Sequence, residues 1–253
     1  MEELNGAPHT EELTTAPLTD FEIKVKRFFG SKLGFAMYIA LALLFVLTLI
    51  FVCVQGTAGR LTARQTNGGI TSLIIMLAVM HLSMFFRVKL KFHMPVYIDI
   101  YAVFAIFGHM AGLLLGWYEG GWHADTILHG LAGVLFTFIG FSFVPLFAGR
   151  KDIISSKHIP KAMCVMVAVG FSACIAMFWE IFEFTLDTID PRLNAQAYLE
   201  KASDPETLYR GSGLIDTMLD LTSHAIGTVI SAIAGYIIMK KKPNDLRWLI
   251  YKI

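Results

Sequence analysis

The stretch "AMCVMVAVGFSACIAMFWEIFEFTL", residues 162–186, decides the fold. It is uncharged from Ala162 to Trp179, and its length suits the roughly 20 apolar residues that cross a bilayer. Near its end stand Glu180 and Glu183, two carboxylates in a run that otherwise belongs in lipid. Working outward, five more runs of the same character appear, at 33–54, 69–86, 95–117, 125–147 and 215–239. The expected fold is an all-α, polytopic membrane helix bundle with six transmembrane helices. Pro95 suits the first turn of the third helix, and Pro145 the last turn of the fourth, where it helps to end it.

Composition agrees. Of 253 residues, 55% are hydrophobic and 16% charged, against about a quarter charged in a soluble domain, and mean hydropathy is +0.60. A net charge of +1 gives no reason to expect a nucleic-acid partner; the expected surroundings are the lipid bilayer. Residues 1–20 are polar and acidic, so no signal peptide is expected. Cys53, Cys164 and Cys174 lie in or beside apolar runs without metal-binding spacing, and read as buried, inert thiols.

Orientation follows from Lys and Arg. Alternate segments, beginning with the N-terminal one, hold sixteen of them, and the remaining segments hold five. Positive residues concentrate on the cytoplasmic side, so both termini are expected there. The chain divides into a polar and basic segment at 1–32, a six-helix domain at 33–239 and a basic tail at 240–253. "FEIKVKRFFG", residues 21–30, reads either as an interfacial helix or as a solvated lead-in. Residues 187–214 form the longest outer loop, with a lid as one expected role. Gly108, Gly112 and Gly116, and Gly227, Ser231 and Gly235, recur every fourth residue, which favours close packing within the bundle over dimerisation.

The ionisable residues inside these spans fall into stripes. At 100° per residue, Glu180, Glu183 and Asp187 lie within about 60° of one another. Asp216, Asp220 and His224 span about 80° on the sixth helix, and Asp125 and His129 stand four apart on the fourth. The expected topology puts all three stripes in the outer half of the membrane, with His109 at similar depth. A charged residue at the bilayer centre costs roughly 2.5–3.5 kcal/mol on insertion scales, so these groups are expected to face each other in one polar cavity. Mixed Asp, Glu and His suit a divalent metal ion. The candidate metal ligands are Asp125, His129, Glu180, Glu183, Asp216, Asp220 and His224, and the candidate catalytic residues Glu180, Glu183 and Asp220. The bland alternative is a set of hydrogen bonds that lock the helices. His81, without a carboxylate in its span, reads as a packed or hydrogen-bonded histidine. Trp122 reads as an interfacial belt residue and His123 as a neighbour of the cavity mouth.

"WHADTILHGLAG" (122–133), "FWEIFEF" (178–184) and "LIDTMLDLTSHAIG" (214–227) together resemble the bacterial YjdF-type inner-membrane proteins and, more distantly, the VanZ-like proteins. The shared pattern is Asp-x3-His-x3-Gly, then Trp-Glu-x2-Glu, then Asp-Thr-x2-Asp. It covers the fourth to sixth helices and carries over Asp125, His129, Glu180, Glu183, Asp216 and Asp220. His224 departs from it, standing where an asparagine is more usual. The resemblance implies a multi-pass protein of the bacterial plasma membrane with poorly defined activity. The functional expectation is an outward-facing cation site acting on a lipid-linked or small polar substrate. The alternatives are a proton- or cation-coupled transporter and a non-catalytic structural or resistance-type protein.

Overall fold

A computed structural model describes residues 19–115, 124–147, 160–189, 195, 213–243, 245 and 247–252. Among the described residues, eight helices and two short strands follow one another: α1 Asp20–Phe29, α2 Lys32–Thr57, α3 Ala63–Val88, β1 Phe92–His93, α4 Val96–Leu114, α5 Ala124–Phe141, α6 Phe143–Phe147, α7 Lys161–Ile189, α8 Gly213–Lys241 and β2 Tyr251–Lys252. Among the described residues, six helical stretches are long and apolar enough to cross a membrane, as the sequence predicts. Every one of them presents large apolar side chains outward, such as Leu47, Ile74, Phe104, Ile127, Phe178 and Ile230. Such a surface marks a protein whose solvent is lipid rather than water.

The helix ends are set by local chemistry. Thr19 and Glu22 form a capping box at the start of α1, and Thr62 and Gln65 do the same for α3. Pro95 is the N-cap residue of α4, one position earlier than predicted. The fourth span is not one continuous helix. A proline ring at 145 clashes with the carbonyl four residues back and donates no hydrogen bond to it. The chain accordingly breaks at Ser142 and resumes as the short α6. α1 is a helix with Val25 buried, while Phe21 and Ile23 stay exposed.

Two three-helix groups make the bundle. α2, α3 and α4 pack around Met76, Met110 and Leu113, and α5, α7 and α8 form the second group, which meets the first through α4 and α5. Arg87 of α3 and Asp99 of α4 form a part-buried ion pair at 2.5 Å, with side chains 7% and 12% exposed, and Arg87 also donates to the Met94 carbonyl.

Glycine sets the closeness of the second group. A Cβ on Gly133 would lie 2.1 Å from the His224 carbonyl oxygen, and one on Gly227 would lie 2.0 Å from that of Gly130. The α5 and α8 backbones are therefore in direct contact, as in small-residue crossings of membrane helices. Gly108 faces Leu128 and Gly235 faces Phe141, so these glycines pack within the chain, while Gly116 lies outside the described residues.

Residues 247–252 fold back under the bundle. β2 pairs antiparallel with β1, and His93 stacks on Tyr251. Leu249 joins Phe141, Val144, Cys164, Ala168 and Met239 in a second apolar core, with Trp248 against the Phe141 ring. The Ile250 N–H donates to Ser142 Oγ at 2.8 Å, filling the gap where α5 breaks. Just before this segment, the Arg247 guanidinium holds the Asp245 carboxyl down at about 2. Of the three cysteines only Cys164 is buried. Cys53 and Cys174 are exposed on the outer faces of their helices, where an apolar thiol meets lipid without penalty. His81 bonds the Leu77 carbonyl of its own helix.

Candidate metal centre

The polar group forms where the N-terminal halves of α5 and α8 meet the C-terminal half of α7. This is the end of the bundle away from the β1–β2 ribbon. Along α7 the buried positions are Cys164, Ala168, Ser172, Ala176, Glu180 and Glu183, a progression of four and three that keeps one face inward. On α8 the inward face carries Asp220 and His224, and on α5 it carries His129 and Gly133.

His129, Glu180, Glu183 and Asp220 converge there. All four are buried, and each offers a ligand-type atom within 4.8 Å of the other three. His129 faces carboxylates through both ring nitrogens. Its Nδ1 lies 3.8 Å from Glu180 Oε1, and its Nε2 lies 3.6 Å from Asp220 Oδ2 and 3.8 Å from Asp125 Oδ1. These separations exceed hydrogen-bond length. Asp125, Asp216 and Asp220 form a second set, again within 4.8 Å, so Asp220 belongs to both.

The carboxylates are poorly satisfied by protein. Both oxygens of Glu180, Oε2 of Glu183 and Oδ2 of Asp220 are buried without a hydrogen-bond donor among the described residues. The Thr217 side chain lies beside Glu180. Glu183 Oε1 accepts from the indole N–H of Trp179 at 2.8 Å. α5, α7 and α8 carry Lys or Arg only at their far ends, as Lys161, Lys240 and Lys241. At an effective dielectric of about 20, two like charges 4.8 Å apart repel by roughly 3–4 kcal/mol. Several carboxylates here therefore require protons or a cation between them.

The donor set fits a metal. Around a tetrahedral ion with bonds of about 2.0–2.2 Å, ligand atoms stand roughly 3.3–3.6 Å apart. Small side-chain rotations bring atoms within 4.8 Å to that spacing. One imidazole with three carboxylates suits first-row divalent ions better than calcium or magnesium, which take oxygen alone.

Other candidate residues are placed differently. His224 turns away from the carboxylates, with its Nε2 2.9 Å from Ser172 Oγ, which in turn lies 2.9 Å from Thr228 Oγ1. Ser172 also donates to the Gly133 carbonyl at 3.4 Å, and Thr137 donates to the same oxygen at 2.7 Å. Asp187 accepts from the Ala195 N–H at 2.6 Å, and His109 is exposed on α4. Trp122, His123 and nearly all of the 187–214 loop lie outside the described residues. Sequence reasoning missed Ser172, Thr228, Thr137 and Trp179. Ser172 was within reach, since it stands three turns before Glu183 on the same face of α7.

Fold and site together define a multi-pass membrane protein with a buried His/Glu/Asp group able to hold a metal ion. Within that class, the chain belongs to the family described as "Predicted membrane protein (DUF2238)", whose model matches residues 37–241. No curated protein and no solved structure matches it.

Proposed function

We propose that this is a cation-dependent membrane protein whose site binds a first-row divalent ion through His129, Glu180, Glu183 and Asp220. The observation that carries the reading is the convergence of these four buried residues from three helices, with carboxylate oxygens that no donor among the described residues satisfies. Asp125 and Asp216 adjoin the site, and Asp220 is shared with them. His224 stands beside the site rather than in it, bonded to Ser172 at the α5–α8 contact.

A divalent ion bound there would polarise an oxygen-bearing substrate and acidify a coordinated water. Metal-assisted hydrolysis or transfer on a lipid-linked or small polar substrate is the activity that suits such a site. Glu180, Glu183 and Asp220 are its proposed ligand or acid–base residues. The Lys and Arg distribution supports a site facing outward, with both termini cytoplasmic. The YjdF-type and VanZ-like resemblance supports the bacterial plasma membrane as its setting. The apolar layer of Phe141, Met239 and Leu249 closes the other end of the group, which favours a one-sided site over a transport pathway.

The test is elemental analysis of the purified, tag-free protein after equilibration with Mn²⁺ or Zn²⁺ and dialysis. At least one ion per chain is expected, falling to background in Glu180→Gln and Asp220→Asn variants that remain folded. A metal-free wild-type protein overturns the reading.

A further inference from the structure

We infer that the buried group is a two-cation centre, in which the Asp220 carboxylate bridges and Asp125 and Asp216 complete the second position. This rests on the metal-site reading above and extends it. The first observation is geometric. Ligand-type atoms of Asp125, Asp216 and Asp220 lie within 4.8 Å of one another, and Asp220 also belongs to the set with His129, Glu180 and Glu183. A carboxylate has two oxygens with lone pairs to spare, so one side chain is able to serve two ions. Paired ions in such centres stand about 3.5–4 Å apart, a separation that one carboxylate spans.

The second observation concerns Asp220 itself. It is 2% exposed, and its Oδ2 has no hydrogen-bond donor among the described residues. His129 Nε2 lies 3.6 Å from it. A buried carboxylate oxygen in that condition is rare in a native structure and calls for an ion or a water.

The third observation is charge. Asp125, Glu180, Glu183, Asp216 and Asp220 bring five carboxylates to one place. One divalent ion leaves a large negative excess when they are ionised, and a second removes most of it. α5, α7 and α8 themselves supply no Lys or Arg at this depth. The second position is made of oxygen ligands, while the first includes an imidazole. It therefore suits a harder divalent ion, such as Mn²⁺ or Mg²⁺, than the first requires.

The experiment uses the full chain in detergent, with Mn²⁺ as probe. Elemental analysis gives the number of ions per chain, and electron paramagnetic resonance reports whether they are coupled. Two Mn²⁺ per chain with an exchange-coupled spectrum are expected. The Asp125→Asn/Asp216→Asn double variant should hold one ion, with the six-line signal of isolated Mn²⁺. One uncoupled ion per wild-type chain overturns the second position and leaves the single-ion reading standing. No bound ion overturns both. If the double variant does not stay monodisperse, wild-type stoichiometry and spectrum decide alone.

Discussion

The indole N–H of Trp179 donates to Oε1 of Glu183 across one turn of α7, at 2.8 Å. A ring on the lipid-facing side of the helix thereby holds a carboxylate of the buried group. Trp179→Phe keeps the ring and its packing on Phe182 but removes the donor. Partners one shell out from a metal ligand typically contribute 10–100-fold in affinity. The expected outcome is about a 10-fold weaker Mn²⁺ affinity by isothermal titration. Unchanged affinity would show that Glu183 is not a ligand.

The α5–α8 contact gives a sharper structural test. Gly133→Ala and Gly227→Ala place a methyl carbon against backbone carbonyls, and only separation of the helices relieves the clash. Overpacking of this kind costs about 1–3 kcal/mol or more. Both variants should unfold at lower temperature and lose bound metal together. Gly170, on α7, has nothing within 4 Å of its would-be Cβ. Gly170→Ala should be neutral or stabilising by up to about 1 kcal/mol. Equal effects at all three positions would argue against direct backbone contact.

Ser172 separates the histidines by role. Ser172→Ala leaves His224 Nε2 and Thr228 Oγ1 without their shared partner. Loss of a buried hydrogen-bond partner costs about 1–3 kcal/mol. Lower thermal stability with unchanged metal stoichiometry is expected, because His224 does not face the carboxylates. Loss of metal without loss of stability would place His224 among the ligands.

The Arg87–Asp99 pair should behave as a buried ion pair. Asp99→Ala strands the guanidinium, at about 3–5 kcal/mol. Asp99→Asn keeps an acceptor and should lose less. Arg87→Met combined with Asp99→Leu should recover most of the stability. Chemical unfolding in mixed micelles measures all three.

The tail docking is tested at Leu249, which is almost fully buried in the second apolar core. Leu249→Ala should cost about 2–5 kcal/mol. A chain stopped after Lys241 should keep its helical content and yet unfold earlier. An unaltered unfolding temperature in both would mean that the segment does not seat on Phe141 and Met239.

Much of this architecture was legible in the residues. Runs of apolar side chains mark the six spans because a continuous apolar stretch of that length satisfies its own backbone in lipid as a helix. The stripes of Glu180 with Glu183, and of Asp125 with His129, follow from helical angle. Angle within one helix does not fix the depth at which neighbours meet it. Asp216, Asp220 and His224 share a stripe, but His224 lies a turn deeper than Asp220, where α7 offers Ser172 in place of a glutamate. Hydroxyls such as Ser172 and Thr228 hardly alter hydropathy, so they leave little trace. Pro145 signals a stop in the sequence, and the structure places the break at Ser142, ahead of the proline, rather than at the end of the span. Docking of Leu249 and Trp248 left no periodic signal, because so short a segment completes no repeat.

The seating of Ile250 on Ser142 also imposes an order of assembly. α5 and α6 are synthesised long before residues 248–252, so the part of the Phe141 ring that Trp248 and Leu249 cover stays open even after α7 and α8 have packed on its other sides. A ribosome stalled beyond the sixth span therefore leaves a bundle with its spans in place and the cap made by residues 248–252 missing. Such an intermediate would expose the aromatic faces of Phe138 and Phe141 that Trp248 covers in the finished fold.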